Sequence, residues 1–365
     1  MNICLIGDNL TSLSLAKILV NKRINVNLYS KNFKNKILQT RTVGISKNNL
    51  DFFNKEILNL KRIFFWNINQ IEVYSEKYEY DKILNFEKKD KQLFSIFKNN
   101  DLYNLLKNDL KKKKLFKKKI IKNSLFYKKI LNDQNYDLVV NCDTKNEISK
   151  KFFNHQIEKD YDSLAYTTIL NHKNVKNKKA IQIFTKIGPI AFLPLSKNQT
   201  SVVFSIIGKE KNLSKNQLID LITKYNNFYD IKNFSKIEKF GLNFSISRNY
   251  YNKNLMGFGD VLHKIHPLAG QGFNMTLRDI KIFSQIIQNR INLGLPLDSS
   301  IYEEFEKQTK HFNFAFAFGI DFIHEFFNFD SRTSKNYSNY LFKFIDKNRF
   351  INNFFSNYAD KGSVL

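Results

Sequence analysis

The sequence predicts an α/β chain: a three-layer α/β domain, a sheet-based lobe inserted into it, and a helical C-terminal region. Three observations lead there. The chain opens on an apolar strand, a helix and a second apolar strand. Much later, a buried strand at 255–258 ends in Gly259-Asp260 and passes through a glycine-punctuated loop into another helix. Between the two lie segments with the alternation and proline punctuation of a sheet. Two strand ends suited to one ligand, set so far apart, make the intervening residues an insertion.

Length and composition bound the rest. With 365 residues the chain can bury a large core and form two interleaved lobes. Its formal charge is +26, with 59 Lys and Arg against 33 Asp and Glu. Such a balance fits an anionic membrane surface or nucleic acid. Only eight of the basic residues are arginine, however, and Lys, Asn, Ile and Phe are all abundant, which points to coding bias as the larger cause. No nucleic-acid-binding module accompanies the charge. Cys4 and Cys142 lie in apolar strands and suit a reducing compartment rather than a disulfide or metal framework. Met1-Asn2 leads straight into a strand, without a signal pattern, and no uncharged apolar run reaches the ~18 residues of a spanning helix. A cytoplasmic protein is expected.

In order, residues 3–7 form a short apolar strand ending at Gly7. Residues 10–20 carry helical spacing through Leu13, Ala16, Ile18 and Leu19, and 24–29 are a second strand. This is a βαβ opening of the dinucleotide-binding kind. Its G-x-G-x-x-G is worn to Gly7-Asp8-Asn9-Leu10-Thr11-Ser12, and Ser30 stands where an acidic ribose-binding residue is expected. Asn9 tolerates left-handed geometry and so stands in for the second glycine, while Ser12 is small enough to keep helix and strand close. Asp8 would set a negative charge beside a bound pyrophosphate.

Residues 50–58 read as a helix, 71–80 as a strand of the second lobe, and 102–110 as a helix. The lysine run at 111–122, interrupted by Leu115 and Phe116, is a solvated face or a docking patch for anionic lipid. A strand follows at 136–143, ending in Asp143. Residues 184–195 contain two of the four prolines and lead into a strand at 201–206. Residues 213–225 are helical and 240–247 a strand. The central loop runs His263-Lys264-Ile265-His266-Pro267-Leu268-Ala269-Gly270-Gln271-Gly272-Phe273-Asn274, and helical spacing resumes over 275–287. The tail from 296 is helical and apolar nearly all round through Phe312, Phe314, Phe316, Phe318, Phe322 and Phe326, which argues for burial.

The run from Gly259 to Asp279 resembles the second flavin-binding motif of the class A FAD-dependent monooxygenases. It looks most like the ubiquinone-biosynthesis hydroxylases (UbiH/UbiI type). The segment Phe184-Thr185-Lys186-Ile187-Gly188-Pro189-Ile190-Ala191-Phe192-Leu193-Pro194-Leu195 resembles the wall that the same family places over the flavin. The segment around Arg41 and the strand end at Asp143 are similar to further cofactor segments, with Thr144 replacing the usual glycine.

The resemblance implies a Rossmann-like FAD-binding domain (residues 1–65, 100–155 and 250–295), a substrate domain (66–99 and 156–249) and C-terminal helices (296–365). It implies cofactor contacts from Gly7, Asn9, Ser12, Arg41, Asp143, Gly259, Asp260, Pro267, Gly270, Gln271, Gly272 and Asn274. Asp260 would accept hydrogen bonds from the ribityl hydroxyls. The reaction implied is hydroxylation of a polyprenylated phenol in ubiquinone biosynthesis, by dioxygen and FAD through a flavin C4a-hydroperoxide, with NAD(P)H or another reductase as electron donor. His263 and His266 are candidates for a base that removes the phenol proton; fixing the loop is their other role. No metal is expected. Such a substrate places the enzyme peripherally on an inner, anionic membrane, beside other proteins of the pathway. The alternative is a non-catalytic member that binds a partner or lipid, favoured by Asp8, Asn9, Ser12, Ser30 and Thr144.

Overall fold

A computed structural model describes residues 1–31, 38–76, 82–87, 92–121, 125–132, 135–266 and 271–332. In chain order the elements begin β1 (Asn2–Ile6), α1 (Leu10–Asn21), β2 (Asn25–Lys31), β3 (Thr42–Ser46), α2 (Lys47–Phe52), β4 (Phe65–Ile68), β5 (Gln70–Ser75) and β6 (Lys82–Glu87). Then come β7 (Phe94–Lys98), α3 (Asn99–Lys111), β8 (Phe116–Ile121), α4 (Leu125–Asn132), β9 (Leu138–Asn141), α5 (Glu147–Phe152) and β10 (Gln156–His172). The rest are β11 (Lys179–Thr185), β12 (Gly188–Pro194), β13 (Gln199–Ile207), α6 (Lys215–Tyr225), β14 (Ile231–Phe234), β15 (Glu238–Ser247), β16 (Tyr251–Asn252), β17 (Leu255–Gly257), β18 (His263–Lys264), α7 (Gln271–Asn292) and α8 (Ser300–Arg332).

One sheet runs β16-β17-β9-β1-β2-β8, and its pairs from β17 to β8 are parallel. Residues Ile3 to Ile6 of β1 are at most 1% exposed, because a parallel strand between two neighbours is covered on both faces. α1 and α7 pack on one face, with Leu15, Ile18, Leu277 and Phe283. α4 and α5 cover the other, around Tyr29, Ile130 and Ile148. This is the expected three-layer unit.

The lysine run is the edge of that sheet. Lys117, Lys118 and Lys119 are exposed on β8, which among the described residues pairs only with β2. Charged side chains there keep a bare edge from pairing with another chain. Four consecutive exposed residues, three of them lysine, carry no strand alternation, which is why this strand was not expected.

The second sheet runs β18-β15-β10-β13-β12-β11-β5-β6, with β14 paired to β10. It contains the predicted strands at 201–206 and 240–247 and the part of 71–80 that is described; residues 77–80 lie outside the described residues. Two details depart from the expected division. Strands β3, β7 and β4 make a small sheet of their own. Strand β18, from the central loop, joins the second sheet through β15 rather than the first.

α8 starts in the core of the first sheet with Ile301, Tyr302 and Phe305, all fully buried. It ends on the second, where the Phe327 ring stacks on Phe184 of β11. Of the phenylalanines from 312 to 329, Phe316 and Phe327 are buried, as expected. Phe312, Phe318, Phe322 and Phe329 are 41–65% exposed, because this side of the long helix is only partly covered. No helix among them is long and apolar enough to cross a membrane. Residues 333–365 lie outside the described residues.

Candidate functional site

The two strand ends meet. Gly7 takes φ +121°, and a Cβ added there would lie 3.2 Å from the backbone nitrogen of Asp143. Gly259 takes φ +63°, and its Cβ would lie 2.6 Å from Thr11 Cγ2 on the first turn of α1. Only glycine fits either place. The ends of β1, β9 and β17 therefore close around the start of α1. Charge reports the same neighbourhood: burial first, then Asp143 and Asp260, push the Cys142 thiol up.

Asn9 does not do what the sequence suggested. Its φ is −143°, an extended conformation, so it does not mimic a left-handed glycine. Instead it caps α1. Asn9 Oδ1 accepts from the Ser12 N–H (2.9 Å), and Ser12 Oγ accepts from the Asn9 N–H (3.1 Å). Such a reciprocal box satisfies two orphan amides of the helix start. Asn9 Nδ2 also donates to the Cys142 carbonyl (2.7 Å), tying the loop to the Asp143 segment. Asp143 folds back on itself, its carboxylate accepting from the Lys145 N–H.

Asp8 is turned toward the sheet edge. Its carboxylate accepts from the Tyr103 hydroxyl of α3 (2.9 Å) and pairs with Lys118 of β8. Neither partner was foreseen; Lys118 looks like any other lysine in its run.

Asp260 is exposed and accepts no hydrogen bond from the described residues. Arg41 lies at the seam of the lobes, its guanidinium 5.2 Å over the Phe240 ring, while its neighbour Thr40 bonds to Glu238 of β15. Gln271, first residue of α7, is 3% exposed, with Oε1 unpaired. Gly272 follows it, and a Cβ added there would lie 3.8 Å from Ile265 Cγ1, an ordinary contact. Pro267 and Gly270 lie outside the described residues.

Asn274 is committed to the frame. Nδ2 donates to the Gly44 carbonyl (2.8 Å), while Oδ1 accepts from the Ser46 N–H and from Asn49 Nδ2 (2.9 Å each). It therefore clamps α7 to β3 and α2 rather than presenting polar atoms to a ligand.

The histidines are interior. His263 Nε2 lies 2.6 Å from Asp279 Oδ2, both side chains buried, and Asp279 Oδ1 accepts from Asn313 of α8. His266 is 2% exposed, stacked 4.1 Å from His324, and neither ring nitrogen has a hydrogen-bond partner among the described residues. Burial, and secondarily His324, hold its pKa well below the usual imidazole value. Both rings are buried, His263 beside Asp279 of α7 and His266 against Tyr161 of β10 and His324 of α8, contacts that hold this loop among the described residues. Near them Asp321, His324 and Glu325 bring potential ligand atoms together, but Lys159 already lies 3.3 Å from Asp321 and 3.0 Å from Glu325.

No protein-family model matches the chain. Curated relatives include the ubiquinone biosynthesis monooxygenase COQ6 of Caenorhabditis elegans, 24% identical over 216 residues (47% of this chain, 48% of the relative). Another is the 3-demethoxyubiquinol 3-hydroxylase of Escherichia coli K12, 30% identical over 156 residues (40% and 39%). The chain thus spans about half or less of the length of the curated relatives it matches. Among solved structures, PqsL of Pseudomonas aeruginosa, described as a probable FAD-dependent monooxygenase, superposes with a TM-score of 0.72 at 12% identity, covering 95% of this chain and 100% of PqsL. HpxO of Klebsiella pneumoniae, solved with FAD and uric acid, gives 0.72 at 9%, covering 99% and 96%. The chain has the fold of the FAD-dependent monooxygenases and is a relative of the ubiquinone-biosynthesis hydroxylases.

Within a flavoprotein-monooxygenase fold these residues fit the cofactor. Gly7 and Gly259 add no side chain of their own beside the first turn of α1, and amide groups at a helix start bind phosphate. Asp260 offers a free carboxylate at a strand end. Gln271 holds a buried oxygen with no hydrogen-bond partner among the described residues.

Proposed function

We propose that the protein is a FAD-dependent aromatic-ring hydroxylase acting on a polyprenylated phenol in ubiquinone biosynthesis. The observation that carries this reading is the convergence of Gly7 and Gly259-Asp260 on the first turn of α1. In this reading the α1 amides hold the pyrophosphate, Asp260 accepts from the ribityl hydroxyls, and Gln271 lies beside the ring system. FAD held there would supply the activation of dioxygen, one oxygen atom passing to the ring and the other leaving as water. The second sheet and α8 cover the reacting ring and exclude water. NAD(P)H or a reductase supplies the electrons. The substrate is too apolar to diffuse freely, so the protein takes it from an anionic bilayer through peripheral contact. The exposed aromatic side of α8 is the surface proposed for that contact.

The test begins with the absorption spectrum and flavin content of the purified protein. Oxygen uptake dependent on a prenylated phenol, with product mass raised by one oxygen atom, is then measured. A protein that takes up no flavin from an excess of FAD refutes the proposal.

A further inference from the structure

The phosphate loop carries an acid where one is least welcome. Asp8 lies between Gly7 and the α1 cap Asn9, so its charge sits at the mouth where a pyrophosphate meets the helix start. A carboxylate left free there would repel the cofactor's phosphates. It is not free. Lys118 pairs with one oxygen and the Tyr103 hydroxyl with the other, and the Asp8 side chain is 14% exposed. Lys118 reaches it from β8, where its α-carbon stands opposite Leu28 of β2. The next residue, Lys119, lies 5.4 Å over the Tyr29 ring and donates to its hydroxyl. Two consecutive lysines of the sheet edge are thus engaged, Lys118 on Asp8 after β1 and Lys119 on Tyr29 of β2.

We propose that Lys118 is a cofactor-positioning residue: it neutralises Asp8 and draws its carboxylate off the helix start, so that this worn loop still accepts a dinucleotide pyrophosphate. The inference rests on the FAD reading of the same cleft. It makes the worn motif a compensated one, in which a change in the loop is answered from the sheet edge.

The experiment is a titration of apoprotein with FAD, followed by flavin fluorescence, for four forms: the unchanged chain, Lys118→Ala, Asp8→Asn, and Asp8→Asn/Lys118→Ala. Melting of each apoprotein confirms folding, and Lys118→Gln serves as a second variant keeping most of the stem. Lys118→Ala is expected to raise the Kd at least about tenfold, an effect that shrinks with salt. Asp8→Asn alone is expected to leave FAD binding unchanged or tighter. The double variant is expected to return to within about threefold of the unchanged chain. An ion pair that merely folds the loop predicts the opposite pattern: both single variants weakened alike, and no recovery in the double. That pattern, or a Lys118→Ala Kd within about twofold of the original, overturns the inference while leaving FAD binding intact. Failure of the unchanged chain to bind FAD overturns the functional reading and the inference together.

Discussion

Gly259→Ala is the most direct probe of the converging strand ends. The added Cβ would lie 2.6 Å from Thr11 Cγ2 and 2.9 Å from Thr11 Oγ1, well inside contact distance, at a backbone φ of +63°. Holding an alanine in the left-handed region costs about 1–2 kcal/mol. Relieving the overlap adds about 1–3 kcal/mol, because Thr11 is itself buried on the first turn of α1 and cannot swing away freely. The total expected loss is about 2–5 kcal/mol, read by urea denaturation of the apoprotein. The two parts separate in a double-mutant cycle. Thr11→Ala removes both clashing atoms, so Gly259→Ala made in that background should cost only the backbone share, and the coupling should be at least about 1 kcal/mol. Because the yielding element is the start of α1, FAD affinity should fall together with stability. A loss below about 1 kcal/mol, or no coupling to Thr11, refutes the claim that these elements touch.

Three further outcomes are expected. Asp260→Ala should weaken FAD binding at least about tenfold, since charge-assisted hydrogen bonds to the ribityl chain are worth roughly 1.5–3 kcal/mol each; unchanged flavin retention on dialysis contradicts the assignment. His266 is neutral when folded because its pKa is depressed, so the unfolded chain takes up its proton first. Stability should therefore be level above pH ~6.5 and fall below it, by at most about 1.4 kcal/mol per pH unit for this residue, and His266→Phe should remove that share from urea midpoints between pH 5 and 8. Anionic vesicles should bind the protein at low salt and release it at high salt, and Phe318→Ser/Phe322→Ser should cut the bound fraction severalfold in co-sedimentation; an unchanged fraction would exclude this side of α8.

Much of the cleft was legible because glycine is scarce in this chain and its positions carry backbone meaning. Gly259-Asp260 announced a strand end, and Gly7 closed an apolar run that could only be a buried strand. What stayed hidden depends on side-chain direction. A sequence shows that Asn9 tolerates unusual backbone, not that it spends its amide on a cap and on Cys142. Asn274 reads as a loop polar group until Gly44, Ser46 and Asn49 are found around it. The lysines of β8 mask the strand they occupy, so the partner of Asp8 could not be picked out. The aromatic tail showed apolar residues on every side of a helix, and only the position of the two sheets decides that Phe316 and Phe327 are inside while Phe318 and Phe322 are not.

The long C-terminal helix has a mechanical consequence. Its 33 residues form a rod about 50 Å long. Tyr302 bonds that rod to the backbone of Val139 in one lobe, and Phe327 presses it onto Phe184 in the other. A rod bolted at both ends resists hinging, since opening one lobe against the other would bend it or unseat an anchor. Entry of the proposed polyprenylated substrate would then rely on local give, by rotation of side chains or displacement of a loop, rather than on opening of the two sheets.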